Sequence, residues 1–194
     1  YVFQNPDHQI FQPTTREEIE FGPRNLGLAP HKVKERSDEA LELFGLTHHE
    51  DRPPALLGFG LRRKVSIAAV YAMRPEILIL DEPTAGLDWS STLEVIHLLQ
   101  GLCRAGHTIL LVTHDMKVAA EFAPRILVLH NGHILFDGET RMAFRQREML
   151  RQTQIEPPQI TELATRLCRW GMPGDMLTVG EFFEAYQELR SNLP

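Results

Sequence analysis

Cysteine is nearly absent from this 194-residue sequence: Cys103 and Cys168 stand far apart, outside any Cys-x-x-Cys pair. That argues against a disulfide framework and against a structural zinc site, and it suits a reducing, cytosolic setting. There is no excess of positive charge either. With 20 Lys and Arg against 26 Asp and Glu, the formal net charge is −6, so bulk electrostatics give no support to a nucleic-acid partner. No apolar run approaches the roughly 20 residues that a bilayer-spanning helix needs. The longest candidates, Ile77–Leu80 and Ile109–Val112, have the length of buried strands. The opening Tyr1-Val2-Phe3-Gln4-Asn5-Pro6 carries no basic segment and no cleavage site, which does not fit a signal peptide. Lacking an initiator Met and opening on a strand-like stretch, the sequence is expected to begin inside a domain. Internal repeats and low-complexity segments are also missing. What remains, 43% hydrophobic and 24% charged residues, is ordinary for a globular chain of one domain plus an appendage.

Tyr1–Gln4 reads as the end of a strand, followed by a turn at Asn5-Pro6-Asp7. Thr14-Thr15-x-x-Glu18 has the form of a capping box opening a short helix that Gly22-Pro23 stops. Pro30 begins a second helix with Val33, Ala40, Leu41 and Phe44 on one face, ending at Gly45. After the polar connection Asp51–Pro54, a helix is expected over Leu61–Met73, ending before Pro75. Ile77–Leu80 then reads as a strand covered on both faces, and helix, strand and helix follow over about 89–103, 108–113 and 116–122. Ile126–Leu129 and Ile134–Phe136 flank His130-Asn131-Gly132-His133, whose Asn-Gly centre favours a tight hairpin turn. Strands alternating with helices and ending in a hairpin indicate α/β architecture with a mixed sheet. Residues 147–194, containing Pro157-Pro158 and two helical stretches, form a helical extension to a domain over 1–146.

The chemistry concentrates in Ile77-Leu78-Ile79-Leu80-Asp81-Glu82-Pro83-Thr84-Ala85-Gly86-Leu87-Asp88. A buried strand ending in two adjacent carboxylates delivers both to the C-terminal sheet edge, where α/β folds bind ligands. One carboxylate can hold Mg²⁺, usually through water, and the next can polarise an attacking water. A pair of solvated strand-end acids is the plain alternative for Asp-Glu alone, and the twelve-residue context speaks against it.

That string resembles the Walker B motif and D-loop of ABC transporter ATPases. The resemblance implies ATP and Mg²⁺ as ligands, with Asp81 the Mg²⁺ carboxylate, Glu82 the catalytic base and Asp88 the D-loop aspartate that communicates across a dimer. His114, closing Val112-Thr113-His114, is similar to the switch histidine that contacts the γ-phosphate. Gln4 is similar to the Q-loop glutamine, which senses Mg²⁺ and γ-phosphate. Gln4-Asn5-Pro6-Asp7-x-Gln9-Ile10-Phe11, Glu20-Phe21-Gly22-Pro23-x-Asn25-Leu26-Gly27-Leu28 and Glu156-Pro157-Pro158-Gln159-Ile160-Thr161 resemble the cobalt/nickel-type ATPases of energy-coupling-factor importers. The fold so implied is a P-loop NTPase lacking its N-terminal part, with a helical subdomain at about 12–74 and a helical C-terminal extension that aids dimerisation. The implied partners are a second ABC ATPase subunit and integral membrane subunits, at the cytoplasmic face of the cell membrane.

Two departures from the family pattern stand out. No GxxxxGK[ST] stretch occurs in the sequence, although that loop supplies the N–H cradle and lysine for phosphates. Family order puts it ahead of Gln4, so a truncated chain is the simpler expectation and one that is inactive alone. The family's signature loop reads Leu57-Gly58-Phe59-Gly60-Leu61 here, with Gly58 in place of Ser and Leu61 in place of Gln or Glu. Gly58, Gly60 and the following helix start are expected to face a partner's γ-phosphate. A charge-assisted hydrogen bond contributes roughly 1.5–3 kcal/mol, so the loss of these groups is expected to weaken that site by about one to two powers of ten. A catalytically silent or regulatory subunit is the rival reading, and a soluble ABC ATPase acting on nucleic acid fits neither the Q-loop context nor the tail. His48-His49 and the pair His130/His133 are read as solvated, since a metal site needs three or four ligands. Arg62-Arg63-Lys64 is read as a solvated or phosphate-facing surface.

Overall fold

The computed structural model describes residues 1–191, and the chain divides into two compact units, Tyr1–Thr113 and His114–Pro194. In the first unit, α1 (Thr15–Asn25), α2 (Pro30–Leu43) and α3 (Phe59–Tyr71) pack on one another. Thr14 caps α1 by accepting from the Glu17 amide at 3.2 Å. The capping-box expectation is corrected here. Glu18 reaches further back and accepts from the Phe11 and Gln12 amides at 3.0 and 2.8 Å, fixing the loop that enters the helix. Nor do Gly22 and Pro23 stop α1, which continues to Asn25. Pro23 falls in the last turn, where its missing N–H removes a single ladder bond, and Gly22 makes room for Met73, whose Cγ would lie 2.6 Å from an added Cβ.

Two five-residue strands, β1 (Ile77–Asp81) and β2 (Thr108–Val112), pair in parallel through α4 (Trp89–Arg104), which supplies the crossover. Val2 adds a parallel bridge to Leu80 on the opposite side of β1. The strand was expected to be covered on both faces, and it is not. Leu78 and Leu80 are fully buried, together with Val2, while Ile77 is 56% exposed and Val112 48%. Apolar side chains on the second face of this small sheet remain open among the described residues, because the helices of the unit cover only the first.

The second unit holds α5 (Met116–Phe122), the hairpin β3 (Arg125–His130) and β4 (His133–Glu139), and then α6 (Thr140–Arg145), α7 (Arg147–Thr153), α8 (Gln159–Leu167) and α9 (Val179–Ser191). Asn131 and Gly132, at φ 49° and 78°, form the expected two-residue turn. The described strands make two two-stranded sheets rather than one mixed sheet: β3 and β4 pair with each other, with an irregularity between Val128 and Leu129. Phe144, Leu150, Leu177 and Ala120 form the core of this unit. Gln146 closes α6 and precedes α7 within this unit.

Candidate functional site

The parallel register carries the functional side chains of the first unit to one sheet edge. The Asp81 amide donates to the Val2 carbonyl at 3.0 Å, so the segment that leads from Val2 to Gln4 leaves the sheet beside the one that follows Leu80. On the other side, the Glu82 amide donates to the Val112 carbonyl at 2.8 Å. The Thr113 hydroxyl then donates to Glu82 Oε2 at 3.2 Å. Glu82 itself has left extended geometry, with φ at 44°. This is an unfavourable conformation for a non-glycine residue, and it is of the kind that clusters at functional sites. The turn it starts lets both carboxylates address the same edge.

Asp81 is engaged by Tyr1, whose hydroxyl donates to Oδ2 at 2.7 Å. That bond raises the Tyr1 phenol above its ordinary range, with a smaller push from burial and from the negative charge. Sequence reasoning did not single out Tyr1 or Thr113. Their partners, Asp81 for Tyr1 and Glu82 for Thr113, lie 80 and 31 residues away in the chain.

A second grouping surrounds the start of α3. This helix begins at Phe59 rather than the expected Leu61, so Gly58 is its N-cap and Gly60 lies in its first turn. Gly58 offers no side-chain cap, and the amides of the first turn have no acceptor from an N-cap side chain. Beside them runs the turn from Glu82 to Asp88. Gly86, at φ 77°, would bring a Cβ within 3.4 Å of the Phe59 ring, and a Cβ on Gly60 would meet Leu87 at 3.7 Å and Ser91 at 3.8 Å. Asp88 caps α4, accepting from the Ser91 amide at 2.8 Å, and this bond holds its carboxyl below the ordinary range.

The two groupings are tied by Arg63, for which the solvated-surface reading is corrected. Arg63 is completely buried. One guanidinium nitrogen donates to the Phe3 carbonyl at 2.9 Å and the other to the Gln4 carbonyl, while the ring of Phe59 lies 5.5 Å away. Burial lowers its pKa, yet an arginine stays protonated. Gln9 adds two further ties, accepting from the Phe3 amide at 3.1 Å and donating to the Ser66 carbonyl at 2.7 Å. Arg62 lies 3.0 Å from Asp7, and Lys64 pairs with Glu94 at 2.6 Å. The signal for Arg63 was available: with α3 starting at Phe59, it shares a stripe with Ile67 and Val70, four and seven residues on.

His114 follows Thr113 at the end of β2 and opens the second unit, where Asp115 caps α5 by accepting from the Lys117 and Val118 amides. Gln4, Asp81 and Glu82 are therefore brought to one edge. Gly58, Gly60 and Asp88 are grouped beside it, and His114 is described with the unit it begins. Asn131 and Gly132 close the hairpin so that His130 and His133 oppose each other.

Comparison with known proteins gives a consistent result. The family model for the ABC transporter matches residues 1–85. The energy-coupling factor transporter ATP-binding protein EcfA of Methanothermobacter thermautotrophicus is 41% identical over 188 residues, 97% of this chain and 60% of that protein. EcfA1 of Clostridium novyi is 40% identical over 192 residues, covering 97% of this chain and 68% of that protein. Among solved structures, cbiO1 of Clostridium perfringens, part of the ABC transporter complex cbiONQ, superposes with a TM-score of 0.70 at 35% identity, over 84% of this chain and 65% of that one. The chain thus spans about 60% of the length of the archaeal relative.

Proposed function

The chain belongs to the ABC transporter ATP-binding family, within its energy-coupling-factor group, and we propose that it is the part of an importer's ATP-hydrolysing subunit that supplies the catalytic base, the Mg²⁺ carboxylate and the signature loop. Its fold is that of the ABC ATPases among the P-loop NTPases. The observation that carries the reading is the convergence of Asp81, Glu82 and the loop bearing Gln4 at one sheet edge, with the Thr113 hydroxyl on Glu82.

The donor set fits Mg²⁺ arriving with a nucleotide. Among the described residues no three His, Cys, Asp or Glu side chains gather as a protein cage. Mg²⁺ is commonly held by one or two carboxylates, completed by water and substrate phosphates. Asp81 and Gln4 would hold it, and once bound it neutralises charge on the β- and γ-phosphates. Glu82 orients the attacking water and accepts its proton, and Thr113 fixes the direction of that carboxylate. His114 contacts the γ-phosphate, and Asp88 communicates with a second ATPase subunit. Gly58 and Gly60 present the start of α3 to the phosphate bound by that second subunit, where first-turn amides and the helix dipole favour an anion. Closing and reopening of the pair would be passed through the Gln4 loop to integral membrane subunits. No helix among the described residues is long and apolar enough to cross a membrane, which accords with a peripheral position at the cytoplasmic face. On motif resemblance the solute is cobalt or nickel, with a vitamin as the second choice.

A catalytically silent subunit is the second reading, favoured by Gly58 and Leu61 in the signature loop. Steady-state ATP hydrolysis by the native protein in its membrane complex separates the two, with Glu82→Gln as the comparison. The proposal expects hydrolysis that falls more than about 100-fold in the variant while ATP binding persists. Equal rates for wild type and variant would leave the silent subunit as the reading.

A further inference from the structure

Within the second unit, α6, α7, α8 and the 174–177 loop surround a cavity of about 920 Å³. That lies in the size range of small-molecule sites. None of its lining residues is among those assigned to ATP hydrolysis. Its apolar surface comes from Phe144, Leu150 and Leu177, which belong to the buried core of the unit. Its polar surface is dominated by Arg141, Arg145, Arg147, Arg151 and Arg166. Against these stand the carboxylates of Glu156, Glu162 and Asp175, so the lining is cationic in a chain whose net charge is −6.

The arginines divide into two kinds. Arg141 is clamped, donating to the Asp175 carbonyl and to Glu181 Oε1, each at 2.6 Å, and Arg145 pairs with the Asp175 carboxylate. Arg147 and Arg151 sit one turn apart on α7 and face the cavity with no carboxylate partner among the described residues. Like charges at this spacing destabilise a helix, unless an anion between them is shared. The opposite wall is built rather than loose: Thr161 donates to the Met176 carbonyl at 2.6 Å and Thr165 to the Gly174 carbonyl at 3.0 Å.

We propose that this cavity binds a small organic phosphate of nucleotide size, with the phosphate shared by the guanidinium groups of Arg147 and Arg151 and the organic body against Phe144 and Leu177. Paired guanidinium groups match phosphate oxygens bidentately, and the apolar floor selects a ligand with more than charge.

Calorimetric titration of the full chain with AMP and with inorganic phosphate tests the assignment. The variants are the double Arg147→Ala/Arg151→Ala, the control Arg104→Ala at an exposed arginine of the first unit, and Asp81→Asn. Sub-millimolar AMP binding, tighter than that of phosphate, is expected. It should weaken at least tenfold in the double variant, whose circular dichroism should be unchanged, and persist in Arg104→Ala and Asp81→Asn. Co-sedimentation with phosphatidylglycerol vesicles identifies the source. Vesicle binding that the double variant loses, without AMP binding, assigns the same phosphate chemistry to a lipid headgroup. Absence of binding to both AMP and vesicles, or equal binding by the double variant, overturns the proposal.

Discussion

The guanidinium of Arg63 lies 2.9 Å from the backbone carbonyl oxygen of Phe3, a residue sixty positions earlier in the chain. The contact joins the helix that starts at Phe59, after the N-cap Gly58, to the segment that carries Gln4. Arg63 has no carboxylate counter-ion within ion-pair distance among the described residues; backbone carbonyls and the Phe59 ring take that place. Arg63→Met should therefore cost about 2 kcal/mol. Charged hydrogen bonds of roughly 1.5–3 kcal/mol each are lost, and relief of the guanidinium's burial offsets part of that loss. Urea unfolding measures it. Arg63→Lys should lose nearly as much, because one ammonium cannot span both carbonyls.

The Thr113 hydroxyl donates to Glu82 at 3.2 Å. Thr113→Val keeps the β-branched shape and removes the donor. ATPase kcat in the assembled complex should fall by about 3- to 10-fold with KM unchanged, the pattern of a group that orients a base. The urea midpoint should move little, since neutral hydrogen bonds contribute only about 1 kcal/mol.

Gly58 occupies the N-cap at φ −61° and ψ 156°, a conformation open to any residue, and a Cβ there meets nothing within 4 Å. Gly58→Ser should stabilise α3 by a few tenths of a kcal/mol through a restored cap. Combined with Leu61→Gln, it should raise ATP turnover of the assembled dimer by about tenfold. Gly86→Ala should do the reverse and destabilise by about 1 kcal/mol, since that position has a positive φ and lies against Phe59. Thermal melts and coupled ATPase assays read both effects.

Tyr71 donates to Glu39 at 2.9 Å. Burial first, and then this bond and the carboxylate charge, push its phenol up to about 12. A folded-state pKa above the unfolded value of about 10 means that the neutral phenol is favoured by the fold. Its contribution is complete below pH 10 and is lost as pH rises through 12. In an alkaline absorbance titration of the 3 tyrosines, the latest phase should vanish in Tyr71→Phe. The stability gap between wild type and variant should close over the same pH interval.

The carboxylate pair Asp81-Glu82 at the end of β1 was legible in the sequence because its logic is local. A four-residue apolar run, two carboxylates and a turn of small residues follow one another directly, and β1 delivers them as that order implies. Asn131-Gly132 was legible for the same reason. What escaped depended on partners far along the chain. Tyr1 meets Asp81 eighty residues later, and the carbonyls that hold Arg63 belong to Phe3 and Gln4, 60 and 59 residues earlier. The extent of α1 was misjudged because Gly22 and Pro23 carry breaker signals that a last helical turn packed around Met73 can tolerate.

The ties between α3 and the loop after Val2 cluster within two helical turns, at Arg62, Arg63 and Ser66, while Gly58 sits at one end of a 13-residue helix about 20 Å long. This is the geometry of a lever gripped close to its working tip. A tilt imposed at the loop should reach Gly58 with almost no slack and swing the Tyr71 end through a wider arc. Such a short output arm trades reach for force, which suits the proposed role of this tip, pressing against a phosphate rather than travelling to it.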